Sequence, residues 1–198
     1  MYQFLETIQL FDGEFKRLPL HQIRIKKALA EYYPHEVVPE LIEILYQTNF
    51  PPKGLFKCRV VYDSQIRLIE FLPYNSPMIC TLKVVVTDIP NLPYKMAERA
   101  DYQKAFSQRE NCDDVLLVKN GLLTDTSYCN IALYDGKQWF TPEKPLVEGV
   151  NRAQLVLEGK LIEKNIKLDD ILNFQRISLF NALNEFEKIN IKISSVSL

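Results

Sequence analysis

Gly121-Leu-Leu-Thr-Asp-Thr-Ser-Tyr-Cys-Asn-Ile131 sets a cluster of polar side chains between strand-like runs. Thr124, Asp125, Thr126 and Ser127 fall between a short buried strand at 115–118 and a second strand at 128–134, whose first residues include Asn130. That second strand reaches Asp135-Gly136 and a partner at 138–140, the pattern of a β-hairpin. Composition alone makes the polar cluster a turn. Two downstream features add to it. Thr141-Pro142 follows the hairpin, and Glu148-Gly-Val-Asn-Arg152 opens a helix read over 152–164 with Asn151 as its N-cap. A glycine leading into a helix start offers unpaired backbone N–H groups and the positive end of the dipole to an anion.

Upstream, Phe4, Ile8 and Leu10 precede Asp12-Gly13, a strong hairpin signal. Helical spacing of apolar residues predicts helices over 20–32 and 36–47, ended by the breaker Asn49-Phe-Pro-Pro-Lys-Gly54. Strand-like runs follow at 57–62, 66–71 and 79–87. In the first, Cys58, Val60 and Tyr62 share one face, and Lys57, Arg59 and Val61 the other. Two helices against an antiparallel meander make an α+β unit. Asp88-Ile-Pro-Asn-Leu-Pro-Tyr94 reads as a linker, 96–108 as a helix, and 177–180 and 189–195 as closing strands. The expected organisation is a small N-terminal α+β domain at 1–87, a linker at 88–94 and a C-terminal domain at 95–198.

The composition narrows the function. Of 198 residues 47% are hydrophobic, enough to bury a core, and 24 Lys plus Arg face 25 Asp plus Glu. With a net charge of -1 the chain lacks the basic excess that nucleic-acid binding needs. No charge-free run is long enough to span a membrane, and the start shows no secretory pattern. Cys58, Cys80, Cys112 and Cys129 are scattered without a CxxC pair, so reduced, mostly buried thiols in a cytoplasmic protein are expected. Neither His21 nor His35 sits near a nucleophile elbow, and no glycine-rich nucleotide loop occurs.

Seven short pieces, in order, resemble the class IV aminotransferases, pyridoxal-phosphate (PLP) enzymes of fold type IV. They are Phe4-Leu-Glu-Thr-Ile8, Leu20-His-Gln-Ile-Arg24, Lys95-Met-Ala-Glu-Arg99, Thr124-Asp-Thr-Ser-Tyr-Cys-Asn130, Thr141-Pro142, Gly149-Val-Asn-Arg152 and Asn181-Ala-Leu183. The resemblance implies a small α/β-sandwich domain followed by a pseudo-barrel domain. It implies that Lys95 forms the Schiff base with PLP, an amine whose pKa must be lowered to act. Lys83 is the rival; Asp125 follows Lys95 by 30 residues and Lys83 by 42, and the former is near the family interval. Asp125 stands where the family has the glutamate that keeps the pyridine nitrogen protonated. Arg24 matches the phosphate-holding arginine of a His-x-x-Arg pattern, with backbone N–H groups of Val150 and Asn151 on the same phosphate. Asn130 and Asn181 line the same site in the resemblance.

The catalytic pair is thus Lys95 and Asp125. If a helix runs through 96–108, Lys95 and Arg99 share one helical face. Lys95-x-x-x-Arg99 looks most like the 4-amino-4-deoxychorismate lyase branch. That reaction yields 4-aminobenzoate and pyruvate from 4-amino-4-deoxychorismate, a step of folate biosynthesis. The alternatives are a transaminase acting on branched-chain or D-amino acids, and a non-catalytic PLP-binding or interaction protein. The chain looks shorter than typical members, trimmed where relatives cover the substrate. Arg59, Tyr62 and Arg67 are candidates for a substrate carboxylate, against the plainer reading of surface strand residues. A homodimer is expected, with Tyr32, Tyr33 and Phe50 short of cover. The implied ligand is a small amino or aminodeoxy acid, with no nucleic acid, membrane or metal partner.

Overall fold

A computed structural model describes residues 2–198. The chain divides into two compact units, residues 1–76 with 93–98, and residues 77–92 with 99–198. This differs from the expected division at 87/88 and 94/95, because a strand and the lysine segment each go to the other side.

In the first unit, β1 (Phe4–Phe11), β2 (Glu14–Phe15), β3 (Leu55–Tyr62) and β4 (Ile66–Pro73) form an antiparallel sheet in the order β2-β1-β3-β4. Asp12 and Gly13 both take positive φ, 48° and 82°, which matches a two-residue hairpin to the strand twist. Helix α1 (Leu18–Tyr32) ends where expected but starts two residues earlier, with Pro19 in its first turn, where a missing N–H costs nothing. The second helix is much shorter than expected: α2 covers only Leu41–Tyr46. Pro39 disfavours helical backbone in the residue before it, so 36–40 stay irregular. Apolar rings close this unit; Tyr32 packs on Tyr2, Phe4 and Tyr94, and Phe50 on Phe15, Tyr46 and Phe71. Tyr32, Tyr33 and Phe50 are therefore half-buried within the unit, and their exposure no longer argues for a dimer.

The second unit holds β5 (Leu82–Val86), α3 (Ala100–Phe106), β6 (Asp114–Lys119), β7 (Leu122–Leu123), β8 (Asn130–Tyr134), β9 (Trp139–Pro142), α4 (Val150–Leu157), β10 (Ile162–Lys164), β11 (Arg176–Phe180), β12 (Ile189–Lys192) and β13 (Val196–Ser197). They build two sheets, β13-β5-β6-β7 and β10-β9-β8-β11-β12. The run read as a third meander strand is β5, and it pairs in parallel with β6 and β13 instead of with β4. Along β6, Leu116 and Val118 enter a core shared with Ile131, Leu133, Ile177 and Leu179 of the other sheet. Val115 and Leu117 pack on the opposite side with Val85, Ile89, Ala105 and Leu146. Burial on both faces explains the unbroken apolar run. The two sheets curve about this core as the pseudo-barrel.

Two further helices are shorter than expected. The helix expected over 96–108 is only α3, since 95–97 are engaged by β1. The helix expected over 152–164 is α4, which Gly159, at φ 69°, cuts short; 162–164 become β10, parallel to β9. Asn151 lies inside α4 and Gly149 is its N-cap.

Candidate active site

The first unit contributes a lysine and an arginine, both anchored to β1. Alternation along β1 puts Phe4, Glu6, Ile8 and Leu10 on the face toward α1, and Leu5, Thr7 and Gln9 on the other. His21 and Arg24 are three residues apart on α1, so they share a helical face. That face meets Glu6, which is fully buried. Arg24 Nε donates to Glu6 Oε1 at 2.8 Å, and Nη2 to Oε2 at 2.5 Å. His21 Nδ1 lies 2.5 Å from the same Oε2. Burial raises the Glu6 carboxyl, but the Arg24 charge and the His21 contact outweigh it and hold it at about 2. Burial pushes the His21 imidazole down, so the neutral ring must carry its proton on Nδ1 to donate to an ionised acid. His21 Nε2 and the Tyr62 hydroxyl are buried without a hydrogen-bond partner. Tyr62 is thus an interior residue, not a surface one. Arg59 pairs with Glu70 at 2.8 Å and Arg67 with Asp63 at 2.7 Å, so both arginines have strand-level roles.

Lys95 sits on no helix. Leu5 N–H donates to Lys95 O at 2.8 Å, Ala97 N–H donates to Gln3 O at 2.9 Å, and Met96 bridges Phe4. These backbone groups are spent on β1 and cannot serve a helix. The preceding Tyr94 is buried and donates to Glu31 at 2.9 Å, which pins the segment from behind. Lys95 Nζ reaches Thr7 Oγ1 at 3.3 Å. The lysine and the arginine therefore bond to consecutive residues of β1, Thr7 and Glu6, which point to opposite faces of the strand. Arg99 is the N-cap of α3 in the second unit, so it is not one helical turn from Lys95. It donates to Ser127 O at 2.9 Å and lies over the Tyr102 ring at 3.7 Å. The rival Lys83 is on β5, where Nζ donates to Leu198 O at 3.0 Å and sits 3.5 Å from Glu110.

The second unit contributes the acid. Asp125 is buried and bridges Asn130 across the polar turn. Its Oδ1 accepts from Asn130 Nδ2 at 2.8 Å, and its Oδ2 from the Leu146 and Val147 N–H groups at 2.7 and 3.0 Å. Asn130 Nδ2 also donates to Val147 O at 2.9 Å, so one amide ties the turn to the 145–148 loop. Burial outweighs these donors and the Arg152 charge and pushes the Asp125 carboxyl up to about 6. Gly149 is dictated by this arrangement: a Cβ there would stand 1.9 Å from Asn130 Oδ1. The hydroxyls of Thr124 and Thr141 are taken by Leu117 O and Ile131 O, at 2.9 and 2.8 Å, and serve the scaffold.

Helix α4 begins at Val150 with no side-chain cap, which leaves its first N–H groups without one. Asn151 Nδ2 donates to Asn181 O at 2.8 Å and Asn184 O at 3.3 Å. Asn181 Oδ1 in turn accepts from the N–H groups of Leu183 and Asn184 at 2.8 and 2.9 Å. The Asn151 side chain thus ties the helix start to the 181–184 turn, which the Asn181 side chain holds in shape, and the groups the helix start leaves uncapped are backbone N–H. Each unit carries groups of the kind PLP requires: the first a primary amine for an aldehyde and a guanidinium for a phosphate, the second helix-start N–H groups for a phosphate and a buried acid for a ring nitrogen. Glu6 and the Leu146–Val147 N–H pair are the parts the sequence reading missed. The signal for Glu6 was an acid at an apolar-face position of a strand.

Residues 3–190 match the amino-transferase class IV family. An uncharacterized Haemophilus influenzae protein is 33% identical over 93% of this chain and 99% of its own length. A crystal structure from Haemophilus somnus 129pt, provisionally assigned as a 4-amino-4-deoxychorismate lyase, superposes with a TM-score of 0.86. It is 30% identical, over 93% of this chain and 98% of that one. A Schizosaccharomyces pombe protein, named provisionally as an aminodeoxychorismate lyase, is 27% identical over 89% of this chain and 84% of its own. The compact length that looked trimmed is thus shared with two of these relatives. With the family motif spanning nearly the whole chain, on a fold-type-IV architecture, the chain belongs to the class IV aminotransferases, a family of PLP-dependent aminotransferases and lyases.

Proposed function

We propose that this protein uses PLP to act on a small amine-bearing carboxylic acid, and that its reaction is the cleavage of 4-amino-4-deoxychorismate to 4-aminobenzoate and pyruvate. The observation that carries the cofactor reading is Asp125, a buried carboxylate clasped only by N–H donors. An acid so placed lacks a bonded cation and complements a protonated ring nitrogen. When bound, PLP supplies an electron sink for charge that develops on the substrate. Lys95 offers the amine that holds the cofactor and afterwards carries a proton to and from the substrate. Arg24 and the N–H groups of Val150 and Asn151 hold the phosphate. Asn130 and Asn181 act through Asp125 and the α4 start. The lyase reading is supported by the two relatives provisionally named as lyases. A cytoplasmic homodimer completes the reading; no helix among the described residues is long and apolar enough to cross a membrane.

The test is reconstitution with PLP, borohydride reduction and peptide mapping. The pyridoxyl label is expected on Lys95; a label on Lys83 or any other lysine overturns the assignment. The same preparation should release pyruvate from 4-amino-4-deoxychorismate without any 2-oxo acid acceptor. A strict requirement for an acceptor would select the transaminase reading. A protein that never takes up PLP would sink both.

A further inference from the structure

We propose that Glu6 is a positioning residue that fixes the plane of Arg24, and that His21 locks Glu6 in turn. The proposal rests on the reading of Arg24 as the residue that holds the cofactor phosphate. Glu6 and His21 are both fully buried, and Arg24 is nearly so. Arg24 meets the carboxylate with Nε and Nη2 at once, which sets the guanidinium plane as a single contact would not. His21 occupies Oε2 from the same helix, so the carboxylate cannot rotate away. The strand that carries Glu6 is itself rigid, paired with β3 at every residue from Phe4 to Phe11. The next residue of that strand, Thr7, meets Lys95 Nζ. β1 therefore sets the placement of the amine and of the guanidinium together.

A buried ion pair is weak grounds for stability, since well-packed apolar residues often do as well. What it supplies here is geometry. A carboxylate beside Arg24 also repels a second anion, and that effect opposes the first. Orientation is the larger of the two, because bidentate phosphate recognition depends on the plane of the fork.

Pyridoxine 5′-phosphate and pyridoxine differ only in the phosphate and carry no aldehyde, so Lys95 makes no covalent contribution to either. The ratio of their Kd values on the full-length apoprotein, by calorimetry, reads the phosphate increment alone. Glu6→Gln should shrink that ratio about tenfold, as lost orienting carboxylates do at metal sites, with pyridoxine affinity unchanged. His21→Gln should shrink it less and serves as the test if Glu6→Gln does not fold. The charge-balanced double variant Glu6→Gln/Arg24→Gln should lose no more than Arg24→Gln alone. An unchanged or larger ratio in Glu6→Gln makes Glu6 a bystander or a competitor for Arg24, and the proposal fails. Equal loss of both ligands points to general collapse and also overturns it. If Arg24→Gln leaves the ratio intact, the phosphate reading of Arg24 has failed and this proposal falls with it.

Discussion

Glu6 in the first unit and Asp125 in the second are both buried carboxylates with both oxygens hydrogen-bonded, yet one is held at about 2 and the other at about 6. Burial raises each. Glu6 is rescued by a bonded guanidinium and a histidine. Asp125 has three N–H dipoles and the charges of Arg152 and Arg99, neither of them bonded to it. Hydrogen bonds satisfy the lone pairs of a buried acid, but a cation in contact is what offsets the lost hydration. In the proposed function, the cofactor ring supplies for Asp125 what Arg24 supplies for Glu6.

The most severe way to break this contrast is Arg24→Ala. It leaves Glu6 charged and buried with the neutral His21 ring in place of a bonded cation, and should cost about 3–5 kcal/mol of stability by denaturant titration. Cofactor affinity should fall on the order of thirtyfold, if about 2 kcal/mol of charge-assisted contact is lost. A stability loss within 1 kcal/mol would mean that Glu6 has another counter-charge.

The pH dependence sharpens the contrast, because the two acids have opposite signs. Glu6 is depressed, so its contribution, on the order of 3 kcal/mol, is full above about 4.5 and fades as pH falls toward 2. Asp125 is raised, so its contribution, also on the order of 3 kcal/mol, is full below about 3.8 and fades as pH rises through about 6. The stability gap between apo wild type and Glu6→Gln should be flat from pH 5 to 8 and narrow below about 4.5. The gap to Asp125→Ala should narrow between about pH 4 and 7. Parallel slopes for the two would contradict the electrostatic difference.

Gly149→Ala tests the clasp without touching either acid. Its Cβ must displace the Asn130 side chain, and the loss should be about 1–3 kcal/mol. Cofactor affinity should fall with it; a variant as stable as wild type would show that Asn130 can move at no cost. The smallest effect is expected for Lys83→Ala. Its contacts to Leu198 O and Glu110 are peripheral, worth about 0–1 kcal/mol in a melt, and the borohydride-reducible cofactor band should survive.

Much of this architecture was legible in the residues. Asp12-Gly13 announced its turn, the helical spacing over 20–32 marked most of α1, and the unbroken run at β6 matched a strand covered on both sides. Arg24, Lys95 and Asp125 were pointed to by motif order, and Asn130 proved to touch Asp125. Local pattern could not show that β5 leaves its sequence neighbours for β6, because parallel pairing is decided by distant partners. The lysine segment was misread as helical for the same reason: β1 claims its backbone groups from about 90 residues away. The N–H donors from Leu146 and Val147 were invisible, since backbone groups carry no residue signature. Glu6 was missed although its place in an apolar alternation marks a charge that must find a partner inside.

The excursion of residues 93–98 bears on how this protein can be recombined with its kin. The first unit is discontinuous in the gene, so it is not a portable module. A single crossover after Ser76 would combine one parent's β1 with the other parent's Lys95 segment. The antiparallel docking of 95–97 on 3–5 would then join residues that had never been selected together. Fragment 1–76 expressed alone would lack both the strap along its sheet edge and the only lysine assigned to chemistry. Chimeras should be built with two crossovers that carry 93–98 along with the first 76 residues, so that the strand and its lysine are inherited as one allele.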